Sequence, residues 1–196
     1  MRFTKLFHKL IRCKKRYVIL QGGTSSSKTW SMLQLLYLKA QKYQGIHISI
    51  VSESLPHLKK GAMRDFFRML KEDNLYDESS HNKTDNIYKV GESIIEFFSV
   101  ENSASARGSR RSILYINEAN SIDYDTFTEL EVRTKDQVYI DFNPVSEFWA
   151  HEKLMMLSDD NFDFIKSTYL DNDLLSPEII RAIELKKGDT EWFYLS

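Results

Sequence analysis

Eight consecutive residues, Gly22-Gly23-Thr24-Ser25-Ser26-Ser27-Lys28-Thr29, constrain the fold of this chain more than any other feature. They fit the phosphate-loop pattern G-x-x-x-x-G-K-[ST], with Ser27 in place of the second glycine. An apolar run, Tyr17-Val18-Ile19-Leu20, precedes them, and a helical stretch over 28–44, closed by Gly45, follows. Strand, small-residue loop and helix in that order let successive backbone N–H groups surround a phosphate at a helix N-terminus. In this reading Gly23, Thr24, Ser25, Ser26 and Ser27 line the phosphates. Lys28 reaches the β- and γ-phosphates, and the Thr29 hydroxyl ligates Mg²⁺. Ser27 is tolerable there provided that it keeps a negative φ. The bland alternative is a serine-rich turn that merely caps a helix.

A phosphate loop needs a second strand that ends in acids. Ile113-Leu114-Tyr115-Ile116-Asn117-Glu118 has that form. Glu118 suits the base that polarises an attacking water. Asn117 stands where the carboxylate that organises the metal's water shell is expected. Its amide can orient a metal-bound water but brings no charge, so weaker metal binding is expected.

The remaining pattern alternates β and α: apolar strands at 46–51, 113–116, 138–142 and 162–169, and helical periodicity at 57–73, 124–133, 146–157 and 177–187. Two β-rich runs flank Val90-Gly91-Glu92-Ser93 as a hairpin. Such alternation predicts an α/β fold, a mostly parallel sheet flanked by helices, and one domain over 17–196. Residues 1–16 carry Arg2, Lys5, Lys9, Arg12, Lys14, Lys15 and Arg16 and no acid, although the chain's net charge is only −1. Phe3, Leu6, Phe7, Leu10 and Ile11 recur there at helical spacing, so the segment reads as a basic amphipathic arm. It either packs on the domain or contacts nucleic acid or a membrane surface. The lone Cys13 excludes a disulfide framework and suggests a reducing compartment. No apolar run reaches membrane-spanning length, and a cytoplasmic location without membrane contact is expected. Asp159, Asp160, Asp163, Asp171 and Asp173 read as solvated surface in preference to a metal site. Arg16 and Tyr17, just before the first strand, are candidates to stack on a base.

Four pieces in order resemble a family. The loop ending in Lys28-Thr29, Tyr115-Ile116-Asn117-Glu118-Ala119, Asp141-Phe142-Asn143-Pro144 with Phe148-Trp149, and 167–175 are similar to the ATPase domain of phage terminase large subunits. The resemblance implies a P-loop NTPase fold of the ASCE type and an ATPase that uses ATP and Mg²⁺ to drive double-stranded DNA into a viral procapsid. It implies Glu118 as catalytic glutamate and Asn143 in the motif that couples the γ-phosphate to domain movement, although Asn143-Pro144 also reads as a turn that ends a strand. It further implies a portal protein and a small terminase subunit as partners, a homo-oligomeric ring, and transient docking on the procapsid in the host cytoplasm. Thr24 stands where some relatives carry a loop arginine, so a catalytic arginine must come from elsewhere. Arg107, beside Gly108, is the candidate finger, with DNA or solvent contact as its alternative role. The chain stops where the C-terminal nuclease of such proteins begins, so no nuclease activity is expected of it. Two other classes stay open at this point: a phosphate-loop kinase, and a nucleotide-binding assembly module weakened by Ser27 and Asn117.

Overall fold

The computed structural model describes residues 1–102, 109–144, 147–156 and 160–186. The chain runs α1 (Lys5–Leu10), β1 (Tyr17–Gly22), α2 (Lys28–Lys42), β2 (His47–Ser52), α3 (Leu55–Lys60), α4 (Ala62–Glu72), β3 (His81–Asn82), β4 (Ile87–Val90) and β5 (Ser93–Ser99). It continues with β6 (Arg111–Ile116), α5 (Tyr124–Glu131), β7 (Thr134–Phe142), a π-helical turn (Ala150–Leu154), β8 (Phe162–Ser167) and α6 (Pro177–Glu184). The sheet order is β3-β4-β5-β2-β6-β7-β1-β8. From β5 to β8 every neighbouring pair is parallel, while the β3-β4-β5 edge is antiparallel.

The strands at the centre are apolar on both faces because helices cover both. Val18, Leu20, Ile48, Ile50, Ile113 and Tyr115 face one layer, with Leu6 and Leu10 of α1, Leu33 and Leu36 of α2, and Phe66 of α4. Their neighbours Ile19, Val51, Leu114, Ile116, Val138 and Ile140 face the other, with Phe127 and Leu130 of α5 and Leu154. This is the period-2 division of a buried parallel sheet. β7 lies between β1 and β6, so the strand carrying Asn143 at its end separates the loop strand from the Glu118 strand. Gly22 is required by packing: a Cβ there would meet the Ser167 carbonyl of β8 at 2.4 Å.

Several elements depart from the sequence reading. The helix expected over 57–73 is two helices, broken at Gly61 (φ −105°, ψ −111°). In the stretch 146–157 the described regular piece is the π-helical turn. The strand expected to reach 169 stops at Ser167, because Thr168 caps a 3₁₀ turn instead. In the arm, Leu6, Phe7 and Leu10 are buried but Ile11 is about half exposed, because α1 has ended by then. Among the described residues no helix is long and apolar enough to cross a membrane.

Candidate active site

The C-terminal ends of β1, β7 and β6 open into a cleft of about 790 Å³ lined by residues 23–29, Glu118, Asp141 and Asn143. Open parallel sheets bind ligands at this edge, because the strand-to-helix loops and helix N-termini converge there.

The loop is anchored from three sides. Ser26, buried, donates from Oγ to the Gly23 carbonyl at 2.7 Å. Asn172, beyond β8, donates from Nδ2 to the Ser25 carbonyl at 2.8 Å. Thr4, the N-cap of α1, bonds Ser31 Oγ at 2.8 Å and accepts from Ser27 Oγ at 3.3 Å, so the basic arm is pinned to the phosphate loop. Ser27 does not keep a negative φ. It sits at φ +64°, and Ser25 at φ +73°. The loop therefore retains the left-handed backbone that glycine adopts freely, and a Cβ is carried at a cost of about 1–2 kcal/mol.

Lys28 is buried and folded back into the loop. Its Nζ donates to the carbonyls of Gly22 at 2.5 Å and Gly23 at 3.0 Å, to Ser26 Oγ at 3.3 Å and to Asn143 Oδ1 at 3.0 Å. Burial lowers its pKa, opposed by the charges of Asp141 and Glu118. Glu118 stands in the left-handed region at φ +58°, which turns its side chain out of the strand. Its side chain is 42% exposed, and Oε2 lies 3.3 Å from His57 Nε2 on α3. Asn117 is buried beneath the cleft and donates from Nδ2 to Thr29 Oγ1 at 3.3 Å.

Two participants were not assigned roles from sequence. His57 belongs to an unremarkable helix, and only the tertiary packing brings it to Glu118. Asp141 is the larger omission. It is 1% exposed, and it accepts from Tyr115 OH at 2.8 Å, Asn117 Nδ2 at 3.1 Å, the Glu118 backbone N–H at 2.7 Å and Thr29 Oγ1 at 3.4 Å. Burial and the Asp141 charge hold the Tyr115 hydroxyl protonated, with its pKa well above the usual tyrosine range. The available signal was an acid inside the otherwise apolar run 138–142.

Arg107 lies outside the described residues. Arg16 and Tyr17 sit at the far end of β1, where Arg16 Nη2 and Tyr17 OH donate to Glu131 Oε1 at 2.7 and 3.1 Å, and neither lines the cleft. Acids near both ends of β8 bind the arm. Lys9 Nζ meets Asp171 at 2.6 Å, the Lys5 amide meets Asp173 at 3.2 Å, and the Lys14 and Lys15 amides meet Asp163 at 2.9 and 3.1 Å. No group of three or more His, Cys, Asp or Glu among the described residues is arranged to hold a metal ion.

Among curated proteins none matches this chain. Solved structures do. The large terminase of a thermophilic bacteriophage superposes with a TM-score of 0.79 at 16% identity, over 94% of this chain and 50% of that one. The complex of that same terminase with ADP gives 0.75 at 18%, over 93% and 50%. The chain thus spans about half the length of that terminase. The large terminase ATPase domain of Thermus phage P74-26 gives 0.69 at 13%, over 95% of this chain and 87% of that domain. At these identities the likeness establishes the fold. A family model described as phage terminase large subunit matches residues 14–195, and the chain belongs to that family.

Proposed function

We propose that this chain hydrolyses ATP to drive double-stranded DNA into a viral procapsid. The observation that carries the reading is the convergence of Lys28, Thr29, Glu118 and Asn143 on one cleft, from three adjacent parallel strands. The ADP complex of the thermophilic bacteriophage's large terminase supports nucleotide binding.

Chemically, the loop N–H groups and the start of α2 receive the phosphates, and Lys28 exchanges its carbonyl partners for phosphoryl oxygens. That exchange releases Asn143, whose amide then reports on the γ-phosphate at the end of β7. Glu118, turned toward solvent, takes the proton of the attacking water once it leaves His57. Thr29 fits Mg²⁺, since its hydroxyl can give its proton to Asp141, accept from Asn117 and keep one lone pair for a cation. When bound, Mg²⁺ neutralises charge developing on the phosphates.

Phosphate release from ATP, with and without duplex DNA, tests the reading. The motor predicts DNA-stimulated release, whereas phosphate transfer to an acceptor would make the protein a kinase and absence of turnover an assembly module. The DNA response should fall steeply with salt, because it rests on phosphate contacts. In the working ring, with portal and small subunit as partners, we assign Arg107 as a finger acting on the neighbouring subunit. Mixed Arg107→Ala and Lys28→Ala proteins should then recover turnover that neither has alone. Failure of the mixture despite demonstrated oligomers removes that assignment.

A further inference from the structure

Asn117 leaves the end of β6 without the negative charge expected there, and Asp141 supplies one on the neighbouring strand. Ile116 of β6 and Ile140 of β7 are register partners in a parallel pair. One step further along, residues 117 and 141 therefore stand side by side on the same face, about 4.8 Å apart across the ladder. A carboxylate can pass from one of these positions to the other while staying at the mouth of the same phosphate loop. The contacts are those of such an exchange. Asn117 Nδ2 donates to both Asp141 oxygens, at 3.1 and 3.3 Å, and to Thr29 Oγ1 at 3.3 Å, while Thr29 Oγ1 lies 3.4 Å from Asp141 Oδ2.

Asp141 accepts no hydrogen bond from a cationic side chain, although its charge acts on the Lys28 ammonium. It is 1% exposed, and its donors are a phenol, a primary amide, a hydroxyl and a backbone N–H, all neutral. Lys28, the nearest lysine of the cleft, spends its amine on Gly22, Gly23, Ser26 and Asn143. A buried carboxylate is costly unless a cation or a dense set of hydrogen bonds compensates it. Here four neutral donors hold it in place, the Thr29 hydroxyl among them at 3.4 Å.

We propose that Asp141 takes the place of the absent β6 carboxylate and orders the water shell of the Mg²⁺ that accompanies the nucleotide, with Asn117 as its hydrogen-bonding complement. The proposal rests on reading the cleft as an ATP site. Mg²⁺ keeps most of its waters in such sites, so one protein hydroxyl and one carboxylate behind the waters suffice, and no carboxylate trio is needed. On this view Asn117 does not weaken the metal site; it is the neutral half of a transposed pair.

The test is ADP binding by calorimetry, with MgCl₂ and in EDTA, on the full chain. The unmodified protein should bind ADP more tightly with Mg²⁺. Asp141→Asn should lose about 10–100-fold of that metal-dependent gain, the usual effect of removing a partner that orients a metal's ligands, with EDTA binding little changed. The double variant Asn117→Asp/Asp141→Asn, which returns the charge to β6, should recover most of it. An unchanged Mg²⁺ gain in Asp141→Asn, or no recovery in a folded double variant, overturns the proposal. If Asp141→Asn does not fold, a crystal structure of the unmodified chain with Mn²⁺ and ADP decides. A metal-bound water on the Asp141 carboxylate upholds the assignment, and a metal shell that touches Glu118 but not Asp141 ends it. Absence of ADP binding by the unmodified protein under both conditions would instead refute the ATP reading itself, and this inference with it.

Discussion

The two ends of the sheet are built on opposite terms. At the hairpin end, Phe66 of α4 contacts Phe67, Tyr88 and Phe97 at ring-centroid distances of 5.3–5.7 Å, and Phe67 stacks on His81 at 4.0 Å. The left-handed residues there are Asn74, Asn86 and Gly91, types that accept that backbone at little cost. At the nucleotide end the left-handed residues are Ser25, Ser27 and Glu118, and Lys28, Asn117 and Asp141 are buried there. One end removes apolar surface from water and gains stability from aromatic packing. The other holds strained backbone and buried polar groups around the candidate site, at a cost in stability that the rest of the fold must offset.

Four substitutions can break or sharpen this contrast. The largest effect belongs to Lys28→Ala, which should reduce ATP turnover at least about 10³-fold by removing a charge on the transferred phosphoryl group, with circular dichroism unchanged. Near-normal turnover would take the loop out of the site. Glu118→Gln should lower turnover about 10²–10⁴-fold while calorimetric ATP binding persists, since an amide cannot accept the water's proton. Equal losses of binding and turnover would make Glu118 structural. At the opposite end, Phe66→Ala should cost about 3–5 kcal/mol. That loss should lower the melting temperature by about 2–4 °C per kcal/mol and leave the KM for ATP of the folded fraction unchanged. A shifted KM would mean that the two ends are energetically coupled. The smallest change is Ser27→Gly. Relief of about 1–2 kcal/mol of left-handed strain is partly offset by roughly 0.4–1 kcal/mol of added chain entropy in the unfolded state. A small rise in melting temperature is expected, and a fall would show that the Ser27 hydroxyl, through Thr4 and Ser31, is worth more than the strain.

The candidate phosphate loop was legible because its architecture is local. Gly22, Lys28 and Thr29 lie within one strand-loop-helix unit, and spacing along the chain reports that directly. The same holds for the two-residue turn at Gly91, where β4 meets β5 with φ +59° at the glycine. The break at Gly61 was not legible, because Leu58, Ala62 and Phe66 keep one helical period across it while the backbone turns.

By itself, then, the order of residues determined the alternating strands and helices, the candidate phosphate loop between β1 and α2, and the glutamate after the β6 strand. Each depends on neighbours a few positions away. The tertiary structure decided which strand lies beside which. That adjacency brings Asp141 of β7 against Asn117 of β6, His57 of α3 against Glu118, and Asn143 against Lys28. The partners are separated by 24, 61 and 115 positions in the chain. Only the parallel ladder, which aligns the ends of β1, β7 and β6 on one edge, carries them to hydrogen-bonding distance.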